Sequence, residues 1–224
     1  MMGYSHVVSG MAAGLLLLPA APVDPGVGSV AWVLMWGGAA LLPDLDSPGA
    51  SASRMWGPIS RAVSVGVSKA ARGHRWGTHD LVLGPLAFGA LAALAVLIPG
   101  MALPVVAVAL GLALHGLHVA RIWRTGAVLN LLISWGGAVW LLGRDDLTVG
   151  WWLPLAVMGG VLVAILGDWL TNEGVPVPLL WVNNRARFGL SAFRTGSAVE
   201  TFLIAPLLTL GTLVLASSRM AGVI

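Results

Sequence analysis

The stretch GSVAWVLMWGGAALLPDLD, residues 28–46, decides how the whole chain is interpreted. It begins with an apolar run that has no charged side chain, and it ends in two aspartates, Asp44 and Asp46. Apolar segments of about 20 residues are long enough to cross the ~30 Å hydrocarbon core of a bilayer. A carboxylate at the end of such a segment is costly to bury unless it pairs or binds a cation. The stretch therefore predicts a membrane helix that carries acidic side chains to one membrane face.

The composition of the full chain agrees with a membrane protein. Of its 224 residues, 58% are hydrophobic and 9% are charged, and the mean hydropathy is +0.90. A soluble domain carries roughly 25% charged residues, so we expect lipid to be the solvent. The absence of cysteine excludes disulfides and thiolate metal sites. The small excess of 12 Lys and Arg over 9 Asp and Glu indicates membrane topology and no nucleic-acid partner.

Apolar segments recur along the chain, which predicts an all-α, polytopic transmembrane helical bundle. We place about seven membrane helices, at 4–21, 28–44, 80–99, 103–120, 126–142, 150–170 and 198–217. We expect residues 1–224 to form a single integral-membrane domain, with the first segment kept as a permanent helix. Gly174, Pro176 and Pro178 end the sixth segment and predict an extended run after it. Ser197 and Glu200 predict a capping box at the start of the seventh.

Basic residues gather in alternate loops. Arg144 and Arg219 lie on one side, and the other ten are Arg54, Arg61, Lys69, Arg72, Arg75, Arg121, Arg124, Arg185, Arg187 and Arg194. Because cytoplasmic loops of membrane proteins are enriched in Lys and Arg, we place the second set in the cytoplasm, together with the N-terminus. The chain is thus predicted to be a multi-pass protein of the bacterial inner membrane.

The loop before the third segment contains an eighth candidate helix, at 54–72. At 100° per residue, Arg54, Arg61, Lys69 and Arg72 share one face, and Trp56, Ile59, Val63 and Val67 share the opposite face. This pattern is typical of an amphipathic helix that lies in the membrane interface. A cytoplasmic helix that packs on the bundle is the alternative.

In this topology most ionisable side chains fall in one layer near the cytoplasmic face. The layer contains all five histidines and much of the acid: His6, Asp44, Asp46, His74, His79, His115, His118, Asp168 and Glu173. Imidazoles mixed with carboxylates suit a divalent metal ion, zinc first, with manganese or iron as alternatives. Such an ion would lower the pKa of a water and make it the nucleophile. Each residue also has a structural explanation, such as a turn carboxylate or an ion pair between Asp168 and an arginine.

Several motifs resemble the YdjM-like family of bacterial inner-membrane proteins. They are a histidine near the N-terminus, LLPDLDSP (41–48), GHRWGTHD (73–80) and GDWLTNEGVPVPLLW (167–181), followed by RTGSAVE (194–200). The family is described as membrane-bound metal-dependent hydrolases. Any one motif is weak, but the order and chemistry of the set are specific.

The resemblance implies roles for seven residues. His6, Asp44, His79 and Asp168 would be metal ligands. The catalytic group would be Asp46, His74 and Arg75, with Asp46 and His74 as partners of the ligands or additional ligands. Arg75 would hold an anionic oxygen such as that of a phosphate. Thr78 and Thr171 are expected to be supports.

The chain departs from the family pattern at three places. Ala164 stands where members often have a histidine, and Ser47 stands where they often have a histidine after DxD. An extra helix pair carries His115 and His118, one of which is a candidate substitute for the missing ligand. Which of the two histidines could take this role depends on its distance from the other predicted ligands.

These observations predict a metal-dependent hydrolase with its site at the cytoplasmic membrane interface. We expect membrane lipids as partners and a lipid or phosphorylated lipid-linked ester as substrate. One rival is a cation or proton transporter that uses the His/Asp cluster, and another is a non-catalytic scaffold stapled by metal. Substrate, metal identity and oligomeric state stay open.

Overall fold

The computed structural model describes residues 1–119, 126–145, 147, 149–180 and 186–221. The chain is mostly helical. Within the described ranges the α-helices are α1 Gly3–Leu17, α2 Val27–Ala39, α3 Pro58–Ala70, α4 Leu83–Leu97, α5 Ala102–Gly116, α6 Gly126–Leu142, α7 Trp152–Trp169 and α8 Ala205–Met220. Each predicted apolar segment coincides with one of these helices, and α3 lies within the predicted 54–72 helix.

Four helical stretches among the described residues are long and apolar enough to cross a membrane. They are Gly3–Ala20, Val27–Asp46, Trp152–Trp169 and Glu200–Met220. The helices α4, α5 and α6 are apolar but shorter. The helical fold class is confirmed, and the number of spans stays a prediction.

The motif LLPDLD lies just beyond the regular part of its helix. After α2 ends at Ala39, the backbone tightens into successive bonds from Leu41 N–H to Gly38 O and from Leu42 N–H to Ala39 O. A 3₁₀ turn, Pro43–Asp46, follows, and Pro43 suits its first position because proline has no N–H to donate. This turn places Asp44 and Asp46 together at the end of α2.

Helix α2 is the centre of the bundle and packs against α1, α5 and α7. Two glycines permit the closest approaches. A Cβ atom at Gly38 would lie 1.9 Å from the carbonyl oxygen of Ala109 in α5, and one at Gly160 in α7 would lie 2.4 Å from the carbonyl oxygen of Trp36. Small residues let membrane helices approach to backbone contact, and here they bring α5 and α7 close to α2.

A buried polar network joins the segment before α3 to α5 and α6. The indole Nε1 of Trp56 donates to Asn130 Oδ1 (3.1 Å) and to Ser134 Oγ (3.2 Å). Asn130 Nδ2 donates in turn to the carbonyl oxygen of Gly111 (2.9 Å). Each polar group in this network has a partner, as groups in an apolar interior require.

Helix α3 begins at Pro58, four residues after the predicted start, and buries a narrow face made by Ser60 and Ser64. Of the predicted apolar face, Trp56 precedes the helix and is buried, and Val67 packs against the core. The other two members are uncovered, since Ile59 is 55% and Val63 is 54% exposed. The basic residues Arg61 and Lys69 are also exposed. An exposed apolar arc beside an exposed basic arc is the pattern of an interfacial helix, and its membrane placement stays a prediction.

The chain after α7 forms the predicted extended run. Strand β1, Val175–Pro176, pairs antiparallel with β2, Arg187–Phe188, with Val175 opposite Phe188. Gly174, at φ +61°, makes the turn into β1. Arg121, Arg124 and Arg185 of the basic loops and Trp181 of the motif 167–181 lie outside the described residues.

A π-helical segment, Glu200–Ile204, precedes α8. The hydroxyl of Ser197 accepts a long hydrogen bond from the Glu200 N–H (3.4 Å), so half of the predicted capping box is present. The other half differs, because Glu200 accepts from the Gly196 N–H (2.8 Å) and from the Met2 N–H (2.6 Å). Glu200 therefore fastens the start of α1 to the last helix.

Candidate metal centre

Four separate segments meet at the candidate centre. Helix α1 supplies His6, the 3₁₀ turn after α2 supplies Asp44 and Asp46, and α7 supplies Asp168 in its last turn. The fourth segment is the loop 73–80, which supplies His74 and His79. His6, Asp46, His79 and Asp168 are buried. The side chain of Asp44 is 18% exposed and that of His74 is 44% exposed, so the centre opens to its surroundings at these two residues.

Asp46 holds both histidines of the loop. Its Oδ1 lies 2.6 Å from His74 Nδ1, and its Oδ2 lies 3.2 Å from His79 Nδ1. The Arg75 N–H (2.9 Å) and the Thr78 hydroxyl also donate to Oδ2. Because Nδ1 of each ring faces this carboxylate, Nε2 is the nitrogen that remains for a metal. A carboxylate behind a histidine is the usual arrangement at metal sites, where it fixes the tautomer and orients the ring.

Potential ligand atoms gather into two groups of three among the described residues. In one group, atoms of Asp44, His74 and His79 all lie within 4.8 Å of one another. In the other, atoms of His6, Asp44 and Asp168 do so. Asp44 belongs to both. The centre therefore brings together all four residues predicted as metal ligands, and it adds His74 to them.

Several buried atoms at the centre have no hydrogen-bond partner. They are His6 Nδ1, His79 Nε2 and Asp168 Oδ2, of which the last two form an ion pair 3.2 Å apart. A buried polar atom without a hydrogen bond costs about 1–3 kcal/mol, and a buried carboxylate needs a positive charge close to it. A divalent ion would supply that charge and accept electron pairs from these atoms.

The charge state of His79 reflects the same surroundings. Burial alone would lower the pKa of His79, but the neighbouring carboxylates of Asp168, Asp44 and Asp46 outweigh burial and raise the pKa well above its ordinary value. The site thus attracts a positive charge, which a proton supplies when no metal is bound.

Comparison with known proteins adds one finding to this geometry. The family model described as YdjM inner membrane protein matches residues 1–121. The chain belongs to the YdjM inner membrane protein family. No curated protein and no solved structure matched the chain. The resemblance to the YdjM family is therefore confirmed. The family description also supports the prediction that the chain is an inner-membrane protein.

The YdjM match covers three of the four segments of the centre. It includes His6, the turn with Asp44 and Asp46, and the loop with His74 and His79, and it ends before Asp168 in α7. The structure shows that Asp168 nevertheless joins the matched part, since its Oδ1 lies 3.5 Å from His6 Nε2.

Arg75 pairs with acidic side chains of this YdjM-family chain. Its Nη2 lies 3.0 Å from Asp168 Oδ1 and its Nη1 lies 3.2 Å from Glu173 Oε2. The amino group of Met1 also contacts Asp168 Oδ1. The ion pair considered as a structural explanation for Asp168 is thus present, and it leaves Oδ2 for a metal. The predicted role of Arg75 toward a substrate anion stays a prediction.

His115 and His118 do not enter either ligand group. His115 lies in the last turn of α5, and the His118 ring stacks on Tyr4 with 6.1 Å between ring centroids. The predicted substitution of one of them for a missing ligand is therefore not supported by these groups. Thr171 acts as the support expected of it, since its hydroxyl donates to the carbonyl oxygen of Asp168 (2.7 Å).

Sequence reasoning missed the part played by Asp80. Its Oδ1 accepts from the N–H groups of Val82 and Leu83, both at 2.8 Å, and so caps the start of α4. Its Oδ2 accepts from the Leu179 N–H (2.7 Å), in the segment after β1. An aspartate just before an apolar helix is an N-cap signal, but the bond to Leu179 spans 99 positions and has no local signal.

Proposed function

We propose that the chain is a membrane-embedded, metal-dependent hydrolase with its site at the cytoplasmic membrane interface. The observation that carries the proposal is the arrangement of Asp46, whose two oxygens contact His74 and His79, with His79 Nε2 lying 3.2 Å from Asp168 Oδ2. A metal-ligating histidine almost always donates its other ring N–H to a carboxylate, a backbone carbonyl or water, and Asp46 offers both rings such an acceptor.

The metal would be divalent, with zinc favoured and manganese or iron as alternatives, because imidazole and carboxylate ligands suit these ions. A bound ion of this kind polarises an ester oxygen and generates a nucleophile from water near neutral pH. In the hydrolysis, the water oxygen bonds to the acyl carbon or phosphorus, the ester bond breaks, and the alcohol leaves with a proton.

The residues around the ligands prepare the site for this reaction. Asp46 fixes the tautomers of two histidines, and Arg75 balances the charge on Asp168 Oδ1. The exposed side of the centre lies at Asp44 and His74, so a substrate would reach the ligands there, while burial of the others excludes bulk water.

A lipid substrate is supported by the position of α3. This helix packs against the 3₁₀ turn that carries the aspartates, and it leaves Ile59 and Val63 exposed beside the basic residues Arg61 and Lys69. If α3 lies in the membrane interface, the ester of an inner-leaflet lipid or lipid-linked phosphate is presented at the depth of the centre. Membrane lipids are then partners as well as substrates.

The proposed topology has seven crossings, with α4, α5 and α6 spanning together with the four longer helices. Support comes from the centre, where the start of α1 and the ends of α2 and α7 meet. Elements that start and end at one place belong to one side of the membrane. Because cytoplasmic loops are enriched in Lys and Arg, the ten basic residues support a cytoplasmic location for that side.

A metal-stapled scaffold is the second candidate. It is favoured by the fact that ligands come from four separate segments, because an ion there would cross-link them. A transporter would use ionisable groups at several membrane depths, whereas the ligand groups of the described residues lie at one end of the bundle.

The test is to purify the protein in detergent, measure bound metals by mass spectrometry, and assay hydrolysis of phosphatidic acid, a lipid diphosphate and a carboxylester lipid. Near-stoichiometric metal with turnover that a chelator abolishes is the expected result. Metal without turnover on these esters would favour the scaffold. Proton or cation flux in liposomes would favour the transporter.

A further inference from the structure

We infer that the centre holds two divalent ions bridged by Asp44, and that its substrate is a phosphoester. This inference rests on the proposed function and narrows it. Its starting point is the sorting of ligand atoms into two groups of three that share only Asp44. His79 Nε2 also lies 3.7 Å from Asp44 Oδ1 and 3.2 Å from Asp168 Oδ2. A single ion held by His6, Asp44, His79 and Asp168 leaves His74 without a role, whereas two ions that share Asp44 use all five residues.

Each group has the composition of a catalytic metal site. One has a carboxylate and two imidazoles, and the other has two carboxylates and one imidazole. Three protein ligands are the number that catalytic zinc sites use, because a further position stays open for water or substrate. Two such sites with one common carboxylate form a bridged pair.

His74 gives the strongest argument for the second ion. Asp46 contacts Nδ1 of His74 with one oxygen and Nδ1 of His79 with the other. The two rings are therefore oriented in the same way, by the same carboxylate. If this contact prepares His79 for a metal, it prepares His74 too, and both rings belong to the group that includes Asp44.

The two groups of ligand atoms meet where His79 faces Asp168. His79 Nε2, from the first group, lies 3.2 Å from Asp168 Oδ2, from the second. Both side chains are 1% exposed, and neither atom has a hydrogen-bond partner. Ligand atoms of the two groups are therefore adjacent, which is compatible with two metals about 3.5–4 Å apart.

The charge of the centre also favours two ions. Among the described residues, the carboxylates are Asp44, Asp46, Asp168 and Glu173, and their cationic partners are Arg75 and the amino group of Met1. One divalent ion only cancels the excess negative charge of this set. Two divalent ions leave a net positive centre, which attracts the anionic group of a phosphoester.

Two-metal sites suit phosphoester hydrolysis because they stabilise both the attacking and the leaving oxygen of an in-line displacement. The oxygen of water forms a bond to phosphorus, the P–O bond to the alcohol breaks, and the alcohol takes a proton while phosphate is released. No oxidant or other reactant is needed. Hydrolysis of a carboxylester would need one ion only.

The experiment is a metal count by mass spectrometry on protein loaded with Mn²⁺, together with electron paramagnetic resonance. We expect two ions per chain and the spectrum of a spin-coupled pair. His74→Ala and His6→Ala should each keep one ion and show an isolated Mn²⁺ spectrum, whereas Asp44→Ala should lose both. His118→Ala, a histidine outside both groups, is the matched control and should keep two.

The outcomes separate this inference from the proposed function. One ion per chain in the unmodified protein, with chelator-sensitive hydrolysis, overturns the pair and leaves the hydrolase intact. Two ions with turnover of carboxylesters only overturns the phosphoester assignment. Absence of bound metal overturns both. The count on the unmodified protein decides the matter even if a variant fails to fold, which its melting curve in detergent would show.

Discussion

The Nε2 atom of His79 lies 3.2 Å from the Oδ2 atom of Asp168, although the two residues are far apart in sequence. Neither atom has a hydrogen-bond partner, and both side chains are buried. Such a pair is stable only with a positive charge between its members or beside them. In the metal-free protein a proton on His79 supplies this positive charge, and we propose that a metal ion supplies it in the active protein.

Replacing His79 tests the centre directly. We expect His79→Ala to weaken metal binding by more than the roughly 10- to 100-fold that follows loss of a group behind a ligand, because a ligand itself is removed. Competition with a chromogenic chelator measures the affinity. His118→Ala, which removes a histidine that stacks on Tyr4, should bind metal normally. Equal affinities in the two variants would contradict the assignment of His79.

Asp46 should act behind the ligands. Asp46→Asn leaves the candidate ligand side chains in place but weakens their orientation, and we expect metal affinity to fall about 10- to 100-fold. Thr78→Val removes only one donor to Asp46, so its effect should be smaller. If Asp46→Asn binds metal as tightly as the unmodified protein, the orienting role is wrong.

The raised pKa of His79 gives the metal-free protein a defined pH dependence. The ordinary pKa of histidine is about 6.5, and a raised pKa means that the folded state binds the proton more tightly than the unfolded chain. The stabilisation is complete below about pH 6.5 and is lost as the pH rises through the raised pKa. Melting temperatures with chelator should therefore fall on going to alkaline pH.

His79→Gln is the control for that series, since it has no proton to lose and should flatten this part of the pH dependence. Metal affinity should rise with pH, whereas the melting temperature of the metal-free protein falls, because the metal must displace the proton from His79. Affinity should rise about tenfold per pH unit while one proton is released. Metal affinity that does not change with pH would show that His79 is not the group displaced.

The polar network of Trp56 should contribute to stability without affecting metal. Asn130→Leu leaves the Gly111 carbonyl oxygen without its donor, and we expect a loss of about 1 kcal/mol, the size of buried hydrogen bonds between membrane helices. Ser134→Ala should cost less because Trp56 Nε1 keeps Asn130 as a partner. Unfolding in mixed detergent measures both. A changed metal count in Asn130→Leu would contradict the separation of the network from the centre.

The topology can be tested by cysteine labelling, because the chain has no cysteine of its own. Asp24 and Gly49 are exposed and lie on opposite sides in the proposed topology. In intact cells, a membrane-impermeant maleimide should label Asp24→Cys but not Gly49→Cys. Both should react after the membrane is permeabilised. Labelling of Gly49→Cys in intact cells would reverse the orientation.

Much of the fold was predictable because apolar helices of a membrane protein have a strong local signal. The predicted apolar segments and the observed helices coincide, although α3 begins at Pro58, four residues after its predicted start. The meeting of His6, Asp44, His79 and Asp168 was predictable because titratable side chains are rare in so apolar a chain. The double contact of Asp46 was not, since it depends on how a 3₁₀ turn meets a loop 28 positions later. The pairing of Arg75 with Asp168 has the same origin.

The contact between Asp80 and Leu179 has a consequence for how such chains vary in length. One carboxylate fixes both the loop that carries His79 and the segment that follows Asp168. Helices α5 and α6 lie between these points, and their described residues enter neither ligand group. Insertions or deletions confined to α6 and its connections would therefore change a part of the molecule away from the candidate centre. The contact of Asp80 with Leu179 would still keep the loop that carries His79 next to the segment after Asp168.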